Sequence, residues 1–304
     1  MWDRPVATVL RYCPDTKFAP DGVRLACFDL DWTLIRPVKS RFPTKPEDMA
    51  LLPGRLHTLR YLQEQGWTLV IFTNQKSRNE KEVVLKMQRM DYFLRLLSLP
   101  VVLLMATGED QYRKPNIGMW SLLPFTSVKE AFYIGDAAGR PGDFSDSDKV
   151  FAANLGIPFQ TPEEFFPSVL PPITNDRKLV ILMGMPGSGK STFYQTHLKP
   201  LGYTYISQDE LKTKDRVLTA LKKAVLTGKP IAIDATNPTR AGRAEYINVA
   251  RANGYTVDII YLVRNGEEAN KLRSTPVPNI AYNMYFSRLD VPTAEEAAAI
   301  YEYA

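Results

Sequence analysis

Cysteine is nearly absent from this 304-residue chain: Cys13 and Cys27 are the only two, and histidine is equally scarce, with His57 and His197. Two thiols make no disulfide framework, and these four residues give no zinc-ligand spacing, so stapled and zinc-folded classes are excluded. Cys27 falls inside an apolar run and is expected to be a structural strand residue. No apolar run approaches the ~20 residues that a membrane span needs. The opening MWDRPVATVLRYC carries early charges where a secretory signal needs a sustained apolar core, so an intracellular chain is expected. No charge sign dominates either. Residues 1–172 hold 21 Lys and Arg against 20 Asp and Glu, while residues 173–304 hold 17 against 13, a modest basic excess that hints at an anionic ligand in the second half. Repeats and low-complexity tracts are absent.

What is present is a soluble composition, 45% hydrophobic and 23% charged, long enough for two domains. FFPSVLPPITNDRK (165–178) breaks every periodicity with Pro167, Pro171 and Pro172, and marks a boundary between domains of residues 1–170 and 171–304. Before it, strand patterns (VRLACFDLD, WTLVIFTNQ, VVLLMAT, KEAFYIGDA) alternate with helical ones (RLHTLRYLQEQG, KEVVLKMQRMDYFLRLLSL). After it the alternation restarts: KLVILMG, a helix from Ser191, YTYISQDE, a helix around 215–227, PIAIDATN, a helix around 240–253, then TVDIIYLV. Both halves are therefore expected to be α/β with mainly parallel sheets, whose ligands sit at the carboxyl ends of the strands.

In the first half, FDLDWTLI (28–35) puts Asp29 and Asp31 two residues apart at the end of an apolar run. Strand periodicity would turn both carboxylates to one side of the sheet, an arrangement that asks for a counter-charge. Thr73 in VIFTNQ, Lys114 in YRKPNIGMW and Asp136 in YIGDAAGR fall at or just after other strand ends, and parallel strands would bring them together. Three acids, a lysine and a hydroxyl suit phosphoryl chemistry. Asp29 and Asp136 can hold Mg²⁺ beside a phosphoryl group, Asp29 can attack phosphorus, Asp31 can protonate the leaving oxygen and later activate water, and Lys114 and Thr73 can bind the equatorial oxygens. Taken singly, each acid also reads as a turn former or helix cap.

DLDWTL, TNQ, YRKPNIGMW and GDAAGR, in this order, resemble the four motifs of the haloacid dehalogenase superfamily of phosphatases, in the version found in polynucleotide kinase 3′-phosphatases. KPNIGMW and the later DFSDSDKVFAANLGIPFQTPEEFF extend the resemblance over most of residues 24–166. It implies Asp29 as the phosphorylated nucleophile, Asp31 as the general acid/base, Thr73 and Lys114 as phosphate contacts, and a magnesium site at Asp29, Asp31 and Asp136. The superfamily commonly has glycine after the second acid. Trp32 in its place implies a turn without left-handed backbone, with the ring packed at the core or rim or stacked on a terminal base.

In the second half, GMPGSGKS (184–191) fits G-x-x-x-x-G-K-[ST] between an apolar strand and a helical segment, the context that this phosphate-binding loop requires. Its N–H groups would face phosphates, Lys190 would reach the β/γ oxygens of ATP, and Ser191 would ligate Mg²⁺. The expected nucleotide-binding residues are Gly184, Gly187, Ser188, Gly189, Lys190, Ser191 and Thr192. Asp209 can take the proton of an attacking hydroxyl or cap a helix. Asp234 can orient metal-bound water or cap the next segment. Arg240, Arg243 and Arg273 can clamp the transferring phosphate or lie solvated.

GMPGSGKST, the acid at Asp209, IDATNPTRAGRAEYI and SRLDVPTAEE resemble the kinase domain of the same bifunctional repair enzymes across nearly all of residues 178–297. That implies a DNA 5′-hydroxyl as the group activated by Asp209 and a lid or clamp role for Arg243. The family more often has arginine before that aspartate, where this chain has Gln208. Phosphatase before kinase is the eukaryotic-type order. About 23 residues precede the first catalytic strand, too few for the forkhead-associated module of many family members. The reading that results is a monomeric nuclear enzyme that heals DNA ends bearing 3′-phosphate or 5′-hydroxyl, using Mg²⁺ and ATP. The same sites would serve small nucleotides or RNA ends, and a decayed scaffold would keep the fold without the chemistry.

Overall fold

The structure is a computed structural model that describes residues 1–15, 22–41, 45–166, 170, 172–174, 176–273 and 276–303. Pro167 and Pro171, which mark the expected boundary, lie outside the described residues. The chain divides into two compact units, one of Met1–Pro37 with Phe42–Pro167 and the other of Val38–Arg41 with Ser168–Ala304.

The strands of the first unit are β1 (Trp2–Val6), β2 (Val9–Tyr12), β3 (Val23–Phe28), β4 (Ile35–Pro37), β5 (Met49–Leu51), β6 (Trp67–Asn74), β7 (Val101–Ala106), β8 (Val128–Ile134) and β9 (Phe159–Gln160). Its helices are α1 (Arg55–Glu64), α2 (Glu80–Leu97), α3 (Ser147–Leu155) and α4 (Pro162–Phe165). Seven strands form one sheet in the order β1, β2, β7, β6, β3, β8, β9. The β1–β2 and β2–β7 pairs are antiparallel, and the rest are parallel. β3 runs in the centre and shows the period-two rule within one strand: Ala26 and Phe28 join the core on one face, Leu25 and Cys27 the core on the other. Both faces are covered, which is why this strand reads as an unbroken apolar run. α2 starts on the Asn79 side chain, which accepts the Glu82 N–H, and turns Val83, Met90, Phe93 and Leu97 inward.

In the second unit β10 (Lys178–Met183), α5 (Lys190–Phe193), β11 (Thr204–Ser207), α6 (Gln208–Leu211), α7 (Lys214–Ala224) and β12 (Ile231–Asp234) are followed by α8 (Arg240–Ala252), β13 (Thr256–Leu262), α9 (Gly266–Lys271), α10 (Asn279–Ser287) and β14 (Ala299–Tyr303). Its five strands, in the order β11, β12, β10, β13, β14, are all parallel. α5 passes directly into a π-helical turn over Tyr194–Leu198. Among the described residues, no helix is long and apolar enough to cross a membrane.

Candidate active sites

The first site forms where β3 stops. β3 ends at Phe28, so Asp29 and Asp31 lie just past the strand, not on one of its faces as its periodicity suggested. The Asp29 N–H still donates to Ile134 O of β8 at 2.8 Å, which holds the first acid in line with the sheet. The two carboxylates then part company: the Asp29 side chain is 12% exposed and that of Asp31 is 48% exposed. The turn between them also departs from expectation. Trp32 has φ 61, so left-handed backbone is used here by a residue that carries a penalty of roughly 1–2 kcal/mol for it. The Trp32 N–H donates to Ile35 O at 2.8 Å, and Asp31 bridges to Ile35, so the turn is closed by its own hydrogen bonds. Its ring is half-buried.

Lys114, in the loop after β7, is the counter-charge. Its Nζ donates to Asp29 Oδ1 at 2.6 Å, to Asp148 Oδ1 at 2.7 Å and to Tyr133 Oη at 2.8 Å, and the side chain is buried. Asn74 fixes the backbone of that lysine, accepting its N–H and donating to its carbonyl, both at 3.0 Å. Gln75 Nε2 donates to Asp31 Oδ2 at 2.6 Å and to Thr73 Oγ1 at 2.9 Å. TNQ thus gives every side chain a polar task at the end of β6. Asp136, after β8, receives the Thr33 hydroxyl at 3.4 Å and donates its N–H back at 3.1 Å. Asp148 Oδ2 accepts the Ala137 N–H at 3.1 Å. A Cβ on Gly135 would stand 2.4 Å from that same oxygen, so only glycine fits beside it.

Burial sets the electrostatics. It pushes the Asp29 carboxyl up to about 7; Lys114 opposes the rise, and Asp148 and Asp31 add to it. Burial also works against the Lys114 ammonium, but Asp148 and Asp29 outweigh it and hold the lysine at about 12. One cation thus serves two buried acids. Because the folded pKa of Asp29 lies above its unfolded value, the folded protein retains a proton that the unfolded chain has lost. The associated stability is complete below pH 4 and is lost as pH rises through 7. In a chelator, the melting temperature is expected to fall between pH 6 and pH 8, and Asp29→Asn should flatten that slope. An unchanged slope would mean that Asp29 does not carry it.

Oxygens of Asp29, Asp136 and Asp148 lie within 4.8 Å of one another. This hard, anionic donor set fits Mg²⁺. Asp148 already uses both oxygens on Lys114 and the Ala137 N–H, so Asp29 and Asp136 are the pair suited to hold the ion.

The second site is the loop between β10 and α5. Gly184, Gly187 and Gly189 all have positive φ, at 155, 80 and 93. Lys190 Nζ donates to Gly184 O at 2.9 Å and Met185 O at 2.8 Å. Burial lowers its pKa to about 8 against the pull of Asp234 and Asp209. Ser191 Oγ and Tyr205 Oη both donate to Asp234 Oδ2 at 2.6 Å, so the acid at the end of β12 fixes the hydroxyl next to the lysine. Gly187, Gly189, Lys190, Ser191 and Thr192 line one cavity of about 420 Å³, with Asp209, Asp234 and Arg273 on the same walls. Asp209 is exposed there, on the first turn of α6, whose cap is Ser207.

Residues 24–166 match the polynucleotide kinase 3 phosphatase family, and residues 179–271 match an AAA domain. The bifunctional polynucleotide phosphatase/kinase of Schizosaccharomyces pombe is 35% identical over 315 residues, which covers 90% of this chain and 77% of the relative. This chain belongs to the bifunctional polynucleotide phosphatase/kinase family. Its first half alone is similar to a polynucleotide 3′-phosphatase of Arabidopsis thaliana (34% identical, 48% of this chain, 24% of the relative) and to one of Saccharomyces cerevisiae (28%, 48% and 88%).

Within this phosphatase/kinase, Arg243 is not where a clamp would stand. It is completely buried: Nε and Nη2 donate to Glu296 at 2.8 and 2.9 Å, and Nη1 and Nη2 donate to the carbonyls of Asn237, Pro238 and Asp290. It ties α8 to the segment before β14, away from the cavity. Arg240 is exposed and paired with Glu295. Of the three candidate arginines, Arg273 alone lines the cavity. β11 ends at Ser207 and QDE opens α6, so Asp209 stands just past the strand and the first turn of this helix presents it.

Two residues that shape the sites, Asp148 and Gly266, were not among the candidates. Asp148 carried a usable signal, since it begins a helical i, i+3, i+4 set with Phe151 and Ala152 and so faces inward, and the same pattern with Tyr246 and Ile247 marks the burial of Arg243. Gly266 carried none. Its Cβ would meet Pro186 O at 2.0 Å, and a Cβ on Gly187 would meet Gly266 O at 2.1 Å. Gly266→Ala is expected to displace the phosphate loop and weaken nucleotide binding by tenfold or more, read with a fluorescent ATP analogue, while 3′-phosphatase activity stays intact.

Proposed function

We propose that this chain heals broken DNA ends: the first unit removes a 3′-phosphate, and the second phosphorylates a 5′-hydroxyl with ATP. The observation that carries the reading is that each half gathers a full set of chemical groups in one place, Asp29, Asp31, Thr73, Lys114 and Asp136 in the first and Lys190, Ser191, Asp209 and Asp234 in the second.

In the phosphatase, a carboxylate oxygen of Asp29 forms a bond to phosphorus as the bond to the 3′-oxygen breaks. Asp31, half in solvent and held by Gln75, gives its proton to that leaving oxygen. It then takes a proton from the water that splits the aspartyl-phosphate, which restores Asp29 and releases inorganic phosphate. Lys114 and Thr73 bind the equatorial oxygens where charge spreads. Asp29 and Asp136 would hold Mg²⁺, which would supply further neutralisation of phosphate charge when bound.

In the kinase, the N–H groups of the loop cradle the phosphates of ATP. Lys190 exchanges the Gly184 and Met185 carbonyls for phosphate oxygens, and phosphate contact raises the pKa that burial has lowered. Asp209 accepts the proton of the 5′-hydroxyl as its oxygen bonds to the γ-phosphorus and ADP leaves. Ser191 and Asp234, which are hydrogen-bonded to each other, would hold the Mg²⁺ that accompanies ATP. Arg273 takes the phosphate-clamping role in place of Arg243. The reading carries with it domains of residues 1–170 and 171–304, a monomer, and work in the nucleus.

The substrate class is tested by comparing 3′-phosphorylated oligodeoxynucleotides with a panel of 3′-mononucleotides and small phosphate esters. Higher kcat/KM on the oligonucleotides is expected. A preference for the small esters would sink the polynucleotide reading.

A further inference from the structure

In the first unit a group of cations beside Asp31 lies outside the machinery described above. Arg89 on α2 and Arg113 in the loop before Lys114 each have a guanidinium nitrogen, Nε and Nη1 respectively, shut off from solvent with no hydrogen-bond partner. Buried donors are paired in nearly all proteins, and a charged one left unpaired is costly. Arg89 Nη2 stands 3.9 Å from Asp31 Oδ1, too far for a hydrogen bond. Lys86, three residues before Arg89, shares its helix face and donates to the Lys76 carbonyl. Burial and the charges of Arg89 and Arg113 lower the Lys86 pKa, against Glu82 and Asp31, which puts the three cations within one another's field. Three crowded cations, two of them with an unfilled guanidinium donor, call for an anion, and a guanidinium pair suits the oxygens of a phosphate.

Position decides which phosphate. Lys114, Thr73 and Asp29 surround the phosphoryl group that is transferred. Asp31 faces the oxygen that leaves, so cations flanking Asp31 face the leaving nucleotide. On a polynucleotide, the next anion on that side is the phosphodiester that links the terminal nucleotide to its 5′ neighbour. We propose that Lys86, Arg89 and Arg113 form a subsite for this penultimate phosphodiester and make a polynucleotide a better substrate than a 3′-mononucleotide. The inference rests on the end-healing reading and adds the group by which the phosphatase measures its substrate beyond the terminal phosphate.

The test uses two 3′-phosphorylated dinucleotides, one with a normal phosphodiester and one with a neutral methylphosphonate in its place. Each is assayed with the wild type and with Lys86→Ala, Arg89→Gln, Arg113→Gln and the double glutamine variant, and thermal melts check folding. The ratio of kcat/KM between the two substrates is the readout. Any effect of Arg89 on Asp31 acts on both substrates and cancels. The wild type should favour the charged linkage roughly tenfold or more, mainly through KM, and the double variant should bring the ratio near one. A wild-type ratio of one, or a ratio that survives both arginine substitutions, would overturn the subsite while leaving the end-healing reading in place. A wild type that hydrolyses small esters but neither dinucleotide would overturn that reading, and the subsite with it.

Discussion

Asp29→Asn is expected to lower 3′-phosphatase activity by about 10⁴-fold or more, because an amide cannot form the phosphoryl bond and no other group can replace a nucleophile that acts within a unit of side chains. Kinase activity should be unchanged, since Asp29 belongs to the first unit and the phosphate loop to the second. The same variant should be more stable than the wild type at pH 8 in a chelator. Asp29 and Asp148 share a single lysine, and burial with these like charges lifts the Asp29 pKa to about 7. Asparagine removes one buried charge and leaves Lys114 paired with Asp148 at 2.7 Å. The gain should be about 1–3 kcal/mol, or several degrees in melting temperature. A variant that is inactive but less stable would mean that Asp29 is needed to hold Lys114, and would weaken the electrostatic account.

Lys190→Ala is the second large effect, and it should fall on the kinase alone. The ammonium is the one cation of the GMPGSGKS loop, and the lysine lines its cavity. Its removal is expected to lower kcat for 5′-phosphorylation by about 10²–10³-fold or more, the scale of losing one preorganised charge at a phosphoryl transition state. Folding should survive, because burial already disfavours the charged lysine. The Gly184 and Met185 carbonyls lose a donor, so a small drop in melting temperature is expected. Loss of phosphatase activity in this variant would contradict two separate chemistries.

Much of this molecule is legible in its amino-acid sequence, because both halves obey one rule. Apolar strand runs with polar residues at their ends identify parallel sheets and the edge where ligands bind, and this places Asp29, Thr73, Lys114 and Asp136 as well as the phosphate loop. The features that stay hidden depend on distant contacts. The β1–β2 hairpin is short and charged, and the sheet it extends is not local to it. The turn at Trp32 defies expectation because residue preference opposes left-handed backbone, while two hydrogen-bonded bridge residues impose it. Arg243 follows a motif in sequence but a helix face in space, and the face decides its place in the core. Gly266 is needed only because Pro186 approaches it from another loop.

The most direct measurement uses one nicked duplex with a 3′-phosphate and a 5′-hydroxyl at the nick, incubated with the protein, Mg²⁺ and ATP, with both ends followed on a sequencing gel. The wild type should convert both ends. Asp29→Asn should leave the 3′-phosphate while phosphorylating the 5′ end, and Lys190→Ala should do the reverse. Failure of the wild type at either end, or loss of both conversions in one variant, would contradict the account of a chain that carries two independent end-healing sites.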